Sequence, residues 1–544
     1  MAGLNFGRRS RRACVGVLGA VLLASAGLAV PAAAQDTAGV EASQQAWSTA
    51  AEGDLDRLLS VLDGTEGSPA WLVDSVARLK QSAFTQTQQR EEELKTKREE
   101  LETQLAEARE AGLEPNERAR RVSDAVLKAI EIEVITPRSE KPGLLASDAV
   151  REARRLAEEV AAAAEAWQEW LLASELYFRL DALFENQPVY DDDVRRLTER
   201  LLMLQLYAPE RSWELRNARR LLEGESELPP YNPLGDSFES KLAGIDSLTV
   251  RRAIEDASSN NVEGVPLSEL ILGGLERVRH LATTTDLWRA FPKLNDERQV
   301  EQFIATVDTL SKQVREVGRP IDSLDLRTVI NRLTASNRRT IGVMEEALLH
   351  EFGNGAYASL DQYSSIIWPD EMRAFRRSLR GQFVGIGVQI RLDEQFDIEV
   401  VTPLEGTPAQ RAGVRRGDRI KKVNGNSIVG FSLNQAVDLI TGPAGTGVTI
   451  TVEREDQEGQ KVVLDYDLVR EQIDLPSVKG WKKTGPGDDE WDWFIDRDRG
   501  IGYVRLTSFT EQSTQEFDAA ISEMREQGLK GLVFDLRFNP GGLL

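Results

Sequence analysis

The sequence predicts a multidomain protein with a long α-helical N-terminal half, a β-rich domain that also contains helices, and the beginning of an α/β domain. Residues 36–225 are rich in Ala, Glu, Leu and Arg at helical spacing. After Phe383 the pattern changes to short alternating strands separated by Gly, Asn and Asp turns. The last residues combine an apolar run with a glycine turn. The expected segments are a signal peptide (1–34), a helical region (35–228), a second helical region leading into the α/β domain (229–380), the β-rich domain (381–458) and the start of the α/β domain (459–544).

The first 34 residues have the order of a secretory signal. Arginines between positions 8 and 12 precede the apolar run 13–30, and Ala32-Ala33-Ala34 precede Gln35. We therefore expect export to a periplasmic or other extracytoplasmic location, with a mature chain that begins at Gln35. An uncleaved membrane anchor is the alternative, because an apolar run of about 18 residues is just long enough to span a bilayer.

Charge and composition exclude several kinds of site. The net charge of -22 argues against a nucleic-acid or anionic-lipid surface. Cys14, the single cysteine, lies in the signal, so the mature chain has no thiol catalyst, disulfide or cysteine metal ligand. His280 and His350 stand singly in helical patterns. We therefore expect no histidine metal site, no Ser-His-Asp triad and no cofactor.

Apolar spacing supports helices in the N-terminal half. One stripe consists of Val150, Ala153, Ala157, Val160, Ala164, Trp167 and Leu171. A heptad-like stretch contains Leu94, Leu101, Leu105 and Ala108 and is compatible with a short coiled coil. A long antiparallel helical hairpin is the favoured structure, and helical repeats are the alternative. The three prolines within 229–233 end this pattern at a boundary or a sharp turn.

Residues 383–455 carry an ordered set of glycine turns and apolar faces. Phe383-Val384-Gly385-Ile386-Gly387-Val388 is followed by Gly406-Thr407-Pro408-Ala409, Gly417-Asp418 and Asn424-Gly425. This order resembles a PDZ domain, which adds a peptide as a strand and holds its terminal carboxylate on backbone N–H groups. The expected peptide slot is lined by Gly385, Ile386, Gly387, Val388, Ile390, Leu433, Val437 and Ile440. The alternative for each apolar residue is an ordinary core position.

The flanks of this domain extend the resemblance. Leu360-Asp361-Gln362-Tyr363-Ser364 precedes it, and Ile501-Gly502-Tyr503-Val504 and Asp535-Leu536-Arg537-Phe538-Asn539-Pro540-Gly541-Gly542 follow it. Residues 345–544 are thereby similar to the carboxyl-terminal processing, or tail-specific, serine protease family. Gln362 replaces the usual proline of that family, and Phe538 replaces a usual polar residue.

The resemblance implies an acyl-enzyme mechanism with a serine nucleophile and a lysine base of depressed pKa. In the family both residues follow the Asn-Pro-Gly-Gly turn by several tens of positions, so we expect them beyond residue 544 and expect the chain as given to be truncated and inactive. Gly541 or Gly542 is the candidate oxyanion donor, with an ordinary turn as the alternative. Asp535 and Arg537 are expected to brace the turn as an ion pair.

Leu532, Val533 and Phe534 suit a parallel strand that is covered on both faces. The function expected is an exported, cofactor-free serine endopeptidase whose partners are proteins or peptides with apolar C-terminal tails. Membrane association is expected only through an uncleaved signal, and an oligomer is compatible with the sequence. The alternatives are an extracytoplasmic PDZ scaffold with a non-catalytic protease remnant, and an assembly module whose main function lies in the helical half.

Overall fold

The computed structural model describes residues 70–543, apart from 111, 186, 234–236, 362, 373–374, 377–381, 394–396, 432, 456–459 and 486–489. The predicted signal and the Gln35 start lie outside the described residues. The chain forms two compact units. The first contains residues up to 114 together with 121–157 and 182–184, and the second contains 115–120, 158–181 and 185–544. These units do not follow the expected boundary at residue 228.

Helices α1 to α4 supply the first unit, and α2 and α4 also contribute residues to the second. Their bounds are α1 (Ala70–Ala108), α2 (Pro115–Ile135), α3 (Lys141–Leu145) and α4 (Asp148–Ala166). Lys97 contacts Glu131 at 2.8 Å, and Lys128 contacts Glu100 at 2.9 Å. From the first contact to the second, the residue number rises in α1 and falls in α2. The two helices therefore run antiparallel and form the predicted helical hairpin.

The predicted stripe in α4 is correct as far as the helix extends. Val150, Ala153 and Ala157 are fully buried. The helix ends at Ala166, however, and Trp167 is 62% exposed. The left-handed φ of +63° at Gln168 interrupts the helical path, so the predicted continuation of the stripe through Trp167 is wrong.

A helical bundle opens the second unit. Its helices are α5 (Trp170–Leu183), α6 (Asp191–Tyr207), α7 (Pro209–Leu222), α8 (Phe238–Leu242), α9 (Ser247–Asn260), α10 (Leu267–Thr283), α11 (Glu297–Glu316), α12 (Ser323–Arg339) and α13 (Glu345–Ala358). Helices α10 and α13 cross closely at two glycines. A Cβ atom on Gly355 would lie 2.4 Å from the carbonyl oxygen of Gly273, so the crossing tolerates no side chain there.

The β-rich domain is an antiparallel sheet with two helices. Its strands are β2 (Val388–Leu392), β3 (Ile398–Pro403), β4 (Arg419–Val423), β5 (Asn426–Ser427), β6 (Gly447–Glu455) and β7 (Lys461–Val469), and its helices are α14 (Pro408–Ala412) and α15 (Leu433–Ile440). The strand order is β2-β3-β4-β6-β7, with β5 beside β4. The sheet continues past the expected boundary at 458, because β7 pairs with β6 along its whole length.

The remaining strands of the described chain form a second sheet and two short antiparallel pairs. They are β1 (Gln382–Gly385), β8 (Glu471–Asp474), β9 (Val478–Lys479), β10 (Lys482–Lys483), β11 (Trp491–Asp492), β12 (Phe494–Asp496), β13 (Ile501–Leu506) and β14 (Gly531–Asp535), with helix α16 (Ser513–Glu526) between the last two. β1 pairs with β8, and β10 pairs with β11, each antiparallel. β13 and β14 run parallel, and β12 and β9 pair with β13 antiparallel.

The parallel pairing of β14 agrees with the sequence, but its burial does not. Leu532 is 37% exposed, and Val533 and Phe534 are each 44% exposed. Cover on both faces of this strand is therefore not observed within the described residues. In the described strand order β14 lies at the end of its sheet and has only β13 beside it, so its other backbone edge has no strand partner among the described residues.

None of the helices within the described residues combines the length and the apolar character needed to cross a membrane.

Candidate peptide-binding and catalytic site

A cavity of about 1220 Å³ runs from the β-rich domain to the start of the second sheet. On one side it is lined by residues of β2 and α15, including Val388, Ile390 and Val437. On the other side it reaches β8 and the segment Thr507–Thr510. Strand β2 is at the end of the described sheet and pairs there with β3 alone. A peptide strand could be added along the opposite edge of β2.

Six of the eight predicted slot residues line this cavity, namely Ile386, Gly387, Val388, Ile390, Val437 and Ile440. Gly385 instead lies in β1, where it pairs with Glu471 of β8. Leu433 is partly buried and packs against the domain core. These two positions are therefore less direct candidates than the sequence suggested.

The accessible apolar surface of the slot is smaller than predicted. Ile386 is fully buried and Ile440 is 4% exposed, so both belong mainly to the core. An ordinary core position was the alternative that the sequence left open for each apolar residue. Val388, Ile390 and Val437 are only partly buried. Among the predicted slot residues, these three contribute the accessible apolar surface of the cavity.

Gly387 fixes the backbone at the start of β2. Its φ is +76°, and a Cβ atom there would lie 2.3 Å from Cβ of Thr407. The Gly387 carbonyl oxygen accepts hydrogen bonds from Leu404 N–H (2.8 Å) and Thr407 Oγ1 (3.1 Å). Glycine is therefore required both by the backbone conformation and by the close approach of Thr407.

The sequence missed the far side of the cavity. The unpredicted lining residues include Phe383, Asn434, Leu475, Lys479, Trp491, Thr507, Ser508 and Thr510. They come from segments as far apart in sequence as Phe383 and Thr510, and their proximity depends on the β1–β8 pairing. We find no local sequence signal that would have identified them.

The glycine turn after β14 is bonded to this far side. Phe509 N–H donates to Gly541 O, and Leu543 N–H donates to Phe509 O, each at 2.9 Å. This is a parallel bridge between Phe509 and Gly542. In such a bridge Phe509 uses both of its own backbone groups, whereas the N–H and C=O of Gly542 point away from Phe509.

The two candidate oxyanion donors therefore differ. Gly541 N–H donates to Oδ1 of Asn539 at 2.7 Å, so it is already engaged. Gly542 N–H points to the side opposite Phe509. The φ of Gly542 is +138°, and a Cβ atom there would lie 2.0 Å from the carbonyl oxygen of Phe509. Of the two, Gly542 has the geometry of an available donor.

Side chains brace this turn. Asn539 Nδ2 donates to Leu506 O at 3.0 Å. Arg537 donates to Asp535 through Nε (2.9 Å) and Nη2 (2.7 Å), as the predicted ion pair requires. Tyr503 OH donates to the same carboxylate at 2.5 Å. Arg537 and Tyr503 hold the pKa of Asp535 well below its ordinary range, which suits a structural brace rather than a proton carrier.

Phe538 occupies an unfavourable backbone position within the turn. Asn539 N–H donates to Leu536 O at 3.1 Å, which closes a four-residue turn. Phe538 is its third residue and has φ +63°, while Arg537 before it is not among the residues of positive φ. This is a type II turn, whose third position favours Gly or Asn.

A buried hydroxyl and carboxylate cluster joins α16 to β9 beside the cavity. Oε2 of Glu516 accepts hydrogen bonds from Ser477 N–H (2.8 Å), Ser477 Oγ (2.7 Å) and Val478 N–H (3.1 Å). Ser513 Oγ lies 2.8 Å from Ser477 Oγ and accepts from Thr510 N–H at 2.7 Å. Ser513 Oγ also lies 3.2 Å from the carbonyl oxygen of Ser508, so the cluster holds the residues on both sides of Phe509.

Both histidines lie in a buried ion network of the helical bundle, far in sequence from the glycine turn. His280 Nδ1 lies 2.6 Å from Glu199, and its Nε2 lies 3.3 Å from Glu276. Burial alone would lower the pKa of His280, but the bonds to these carboxylates outweigh burial and raise it. His350 Nδ1 lies 2.8 Å from Glu351.

Glu351 is the centre of the same network. It accepts hydrogen bonds from Tyr207 OH (2.8 Å) and Arg277 Nε (2.7 Å). Burial alone would raise the pKa of Glu351, but Arg277 and His350 lower it to about 2. Across the described residues, no group of three or more His, Cys, Asp or Glu side chains is arranged to hold a metal ion.

Comparison with known proteins identifies two segments. Residues 399–454 match the PDZ domain family, and residues 500–544 match Peptidase family S41. A carboxy-terminal-processing protease of Bartonella bacilliformis is 39% identical over 204 residues, which are 37% of this chain and 43% of that protein. The carboxy-terminal processing protease CtpA of Bacillus subtilis is 34% identical over 191 residues, or 35% of this chain and 37% of that protein.

Two solved structures also match. The photosystem II D1 C-terminal processing protease is 26% identical, with a TM-score of 0.23, over 51% of this chain and 62% of that chain. The PDZ domain of a carboxy-terminal protease from Vibrio cholerae, solved with a peptide, is 29% identical, with a TM-score of 0.16, over 17% of this chain and 99% of that chain.

The family matches and the sequence relatives confirm the predicted resemblance to carboxy-terminal processing proteases of the S41 peptidase type. The chain matches about two fifths of the length of these curated relatives.

Proposed function

We propose that the whole protein is a serine endopeptidase of the tail-specific type, in which the PDZ slot captures the C-terminal tail of a protein substrate. One observation carries this proposal. A single cavity extends from Val388 and Val437 to Thr507–Thr510, and Phe509 in that segment is bonded to the glycine turn. A tail bound along β2 therefore lies in the same space as the edge of the candidate catalytic centre.

In the proposed reaction, a serine attacks a peptide carbonyl and a neutral lysine accepts the serine proton. Both residues are expected beyond residue 544. Gly542 N–H would then donate to the oxyanion of the tetrahedral intermediate, a contact worth about 3 kcal/mol where single donors have been removed. When the intermediate collapses, the C–N bond breaks and the protonated lysine gives its proton to the departing amine, which leaves the acyl-enzyme and a neutral lysine. That lysine then takes a proton from water as the water attacks the ester, and returns it to the serine oxygen when the new carboxyl product leaves.

The tail is proposed to be apolar at its last residue. Val388, Ile390 and Val437 offer partly buried apolar surface, and backbone N–H groups near Gly387 would hold the free carboxylate. We expect a dissociation constant of roughly micromolar order, because a short tail buries little surface.

Titration of the 544-residue chain with a labelled decapeptide ending in Ala-Leu tests this capture step. The peptide with a free carboxylate should bind at least about tenfold more tightly than its C-terminal amide, because the amide loses a charge-assisted contact. Equal affinity for the two peptides would show that the carboxylate is not recognised.

Export is proposed from the order of residues 1–34. N-terminal sequencing of protein from an extracytoplasmic fraction should give Gln35 as the first residue. An intact Met1 on protein confined to the cytoplasm would contradict export.

A further inference from the structure

An extended segment between helices α7 and α8 is attached to the helical bundle at its start. Leu228 N–H donates to Oδ1 of Asn217 at 2.7 Å. The carbonyl oxygen of Pro229 accepts from Nε1 of Trp213 at 2.9 Å. Asn217 and Trp213 both lie in α7, so the position of the segment is determined by that helix.

The next residues of the segment contact the β-rich domain. Asn232 Nδ2 donates to the carbonyl oxygens of Ser427 and Val429, each at 3.2 Å. Gly430 approaches Pro230 so closely that a Cβ atom on Gly430 would lie 3.1 Å from Pro230 O. The side-chain amide of Asn232 thus binds two carbonyl groups of the same turn, and the two bonds together fix both the position and the orientation of the turn.

The turn that Asn232 binds leads directly into α15, the helical wall of the peptide slot. Ile428 and Phe431 bury their side chains in the domain core, at 1% and 5% exposure. Phe431 N–H donates to Ile428 O at 3.1 Å, and α15 begins at Leu433. A displacement of this turn would therefore move the first turn of α15 relative to β2.

We propose that residues 229–232 form a clasp that positions α15 and thereby sets the peptide affinity of the slot, with Asn232 as the positioning residue. The clasp acts by pre-organisation, since a slot whose helix is already held loses less conformational freedom when the peptide binds. The effect of the clasp on peptide affinity rests on the proposed function. The contact between the clasp and the turn is independent of that function.

Two variants of the 544-residue chain test the clasp. Asn232→Asp removes the donor amide at nearly constant size, and Asn232→Ala removes it without adding charge. Site-resolved hydrogen exchange of the peptide-free proteins should be roughly tenfold faster in residues 427–440 of both variants, because each loses two hydrogen bonds. Exchange in the paired strands β6 and β7 should stay at the wild-type rate, which separates a local effect from general destabilisation.

The same variants should bind the Ala-Leu decapeptide about three- to tenfold more weakly than the wild type. Asn331→Asp is the matched control, because it makes the same change at an exposed position in α12 and should alter neither measurement. If hydrogen exchange at residues 427–440 is the same in the variants as in the wild type, Asn232 does not hold the turn and the clasp is contradicted. If exchange is faster but the peptide affinity is unchanged, the clasp does not set the affinity of the slot. If the wild type binds no peptide, the proposed function fails, and the exchange rates still decide whether Asn232 holds the turn.

Discussion

The carbonyl oxygen of Phe509 lies where a side chain on Gly542 would have to be, because a Cβ atom built on Gly542 would be 2.0 Å away from it. This contact belongs to the parallel bridge that directs Gly542 N–H away from Phe509. The same geometry therefore explains why the position needs glycine and why its amide points away from Phe509, as the proposed oxyanion contact requires.

Gly542→Ala should destroy that geometry. The added methyl group must displace the Phe509 backbone, and φ +138° is a conformation that alanine rarely adopts. In the complete gene product we expect kcat to fall by at least about 10²-fold, the loss typical of one missing oxyanion donor. Gly541→Ala is the control, because a Cβ atom at 541 meets open space and only the strain at φ +99° remains. A kcat for Gly542→Ala equal to that of Gly541→Ala would contradict the assigned donor.

Phe538→Asn should stabilise the protein. The left-handed φ of +63° costs a bulky L-residue about 1 kcal/mol or more, and asparagine tolerates it better. Phe538 is 75% exposed, so its replacement sacrifices little burial. We expect the free energy of unfolding to rise by about 1 kcal/mol in denaturant titrations followed by tryptophan fluorescence.

The control for this variant is Phe534→Asn. Phe534 lies in β14 without a positive φ and packs edge-on against Phe517, with ring centroids 5.3 Å apart. Its replacement should lower stability. A decrease in stability for Phe538→Asn as well would mean that the ring contributes more than the backbone strain costs.

Glu516→Gln should weaken the cluster that holds the residues around Phe509. One carboxylate oxygen accepts three hydrogen bonds, and a charged acceptor is worth more than a neutral amide. We expect a loss of about 2 kcal/mol in the free energy of unfolding. Glu526→Gln, at an exposed position of the same helix, should change it by less than about 0.5 kcal/mol. Equal effects of the two substitutions would show that the cluster is not stabilising.

The helical bundle should lose stability as the pH rises above about 6.5, the ordinary pKa of histidine. Both ring nitrogens of His280 face carboxylates, so the imidazolium form is favoured and its folded-state pKa lies above the ordinary 6.5. The stabilisation is fully present below about pH 6.5 and is lost as the pH rises through the folded-state pKa. Thermal unfolding followed by circular dichroism from pH 6 upward should show this fall.

His280→Gln should remove that part of the pH dependence, because glutamine does not titrate. Glu276→Gln removes one of the two carboxylates and should move the fall to lower pH. Identical pH profiles for the wild type and His280→Gln would contradict the role assigned to the imidazolium.

Local sequence signals predicted the elements of the slot. Gly387, the alternating strand after it and the apolar face of α15 are short-range patterns, and the structure forms β2 and α15 from them. The brace between Asp535 and Arg537 was predictable because the two residues are close in sequence, although Arg537 lies in the turn after β14 and not on the strand.

Features that depend on contacts between residues far apart in sequence could not be predicted. Ile386 and Val388 are both apolar residues of one short stretch, yet only the fold makes the first a core residue and the second part of the slot surface. The network around Glu351 joins Tyr207 across 144 positions and has no local signature. The pairing of β1 with β8, which brings Thr507–Thr510 near the slot, is equally non-local.

Proteolysis by the complete gene product is the most direct test of the central claim. An unstructured protein with a free apolar C-terminal tail, and the same protein with an amidated tail, should be incubated with the complete product and, separately, with residues 1–544. We predict cleavage by the complete product only, faster for the free tail, because the proposed mechanism takes its serine and its lysine from outside residues 1–544. Turnover by residues 1–544, or no turnover by a folded complete product, would contradict this account.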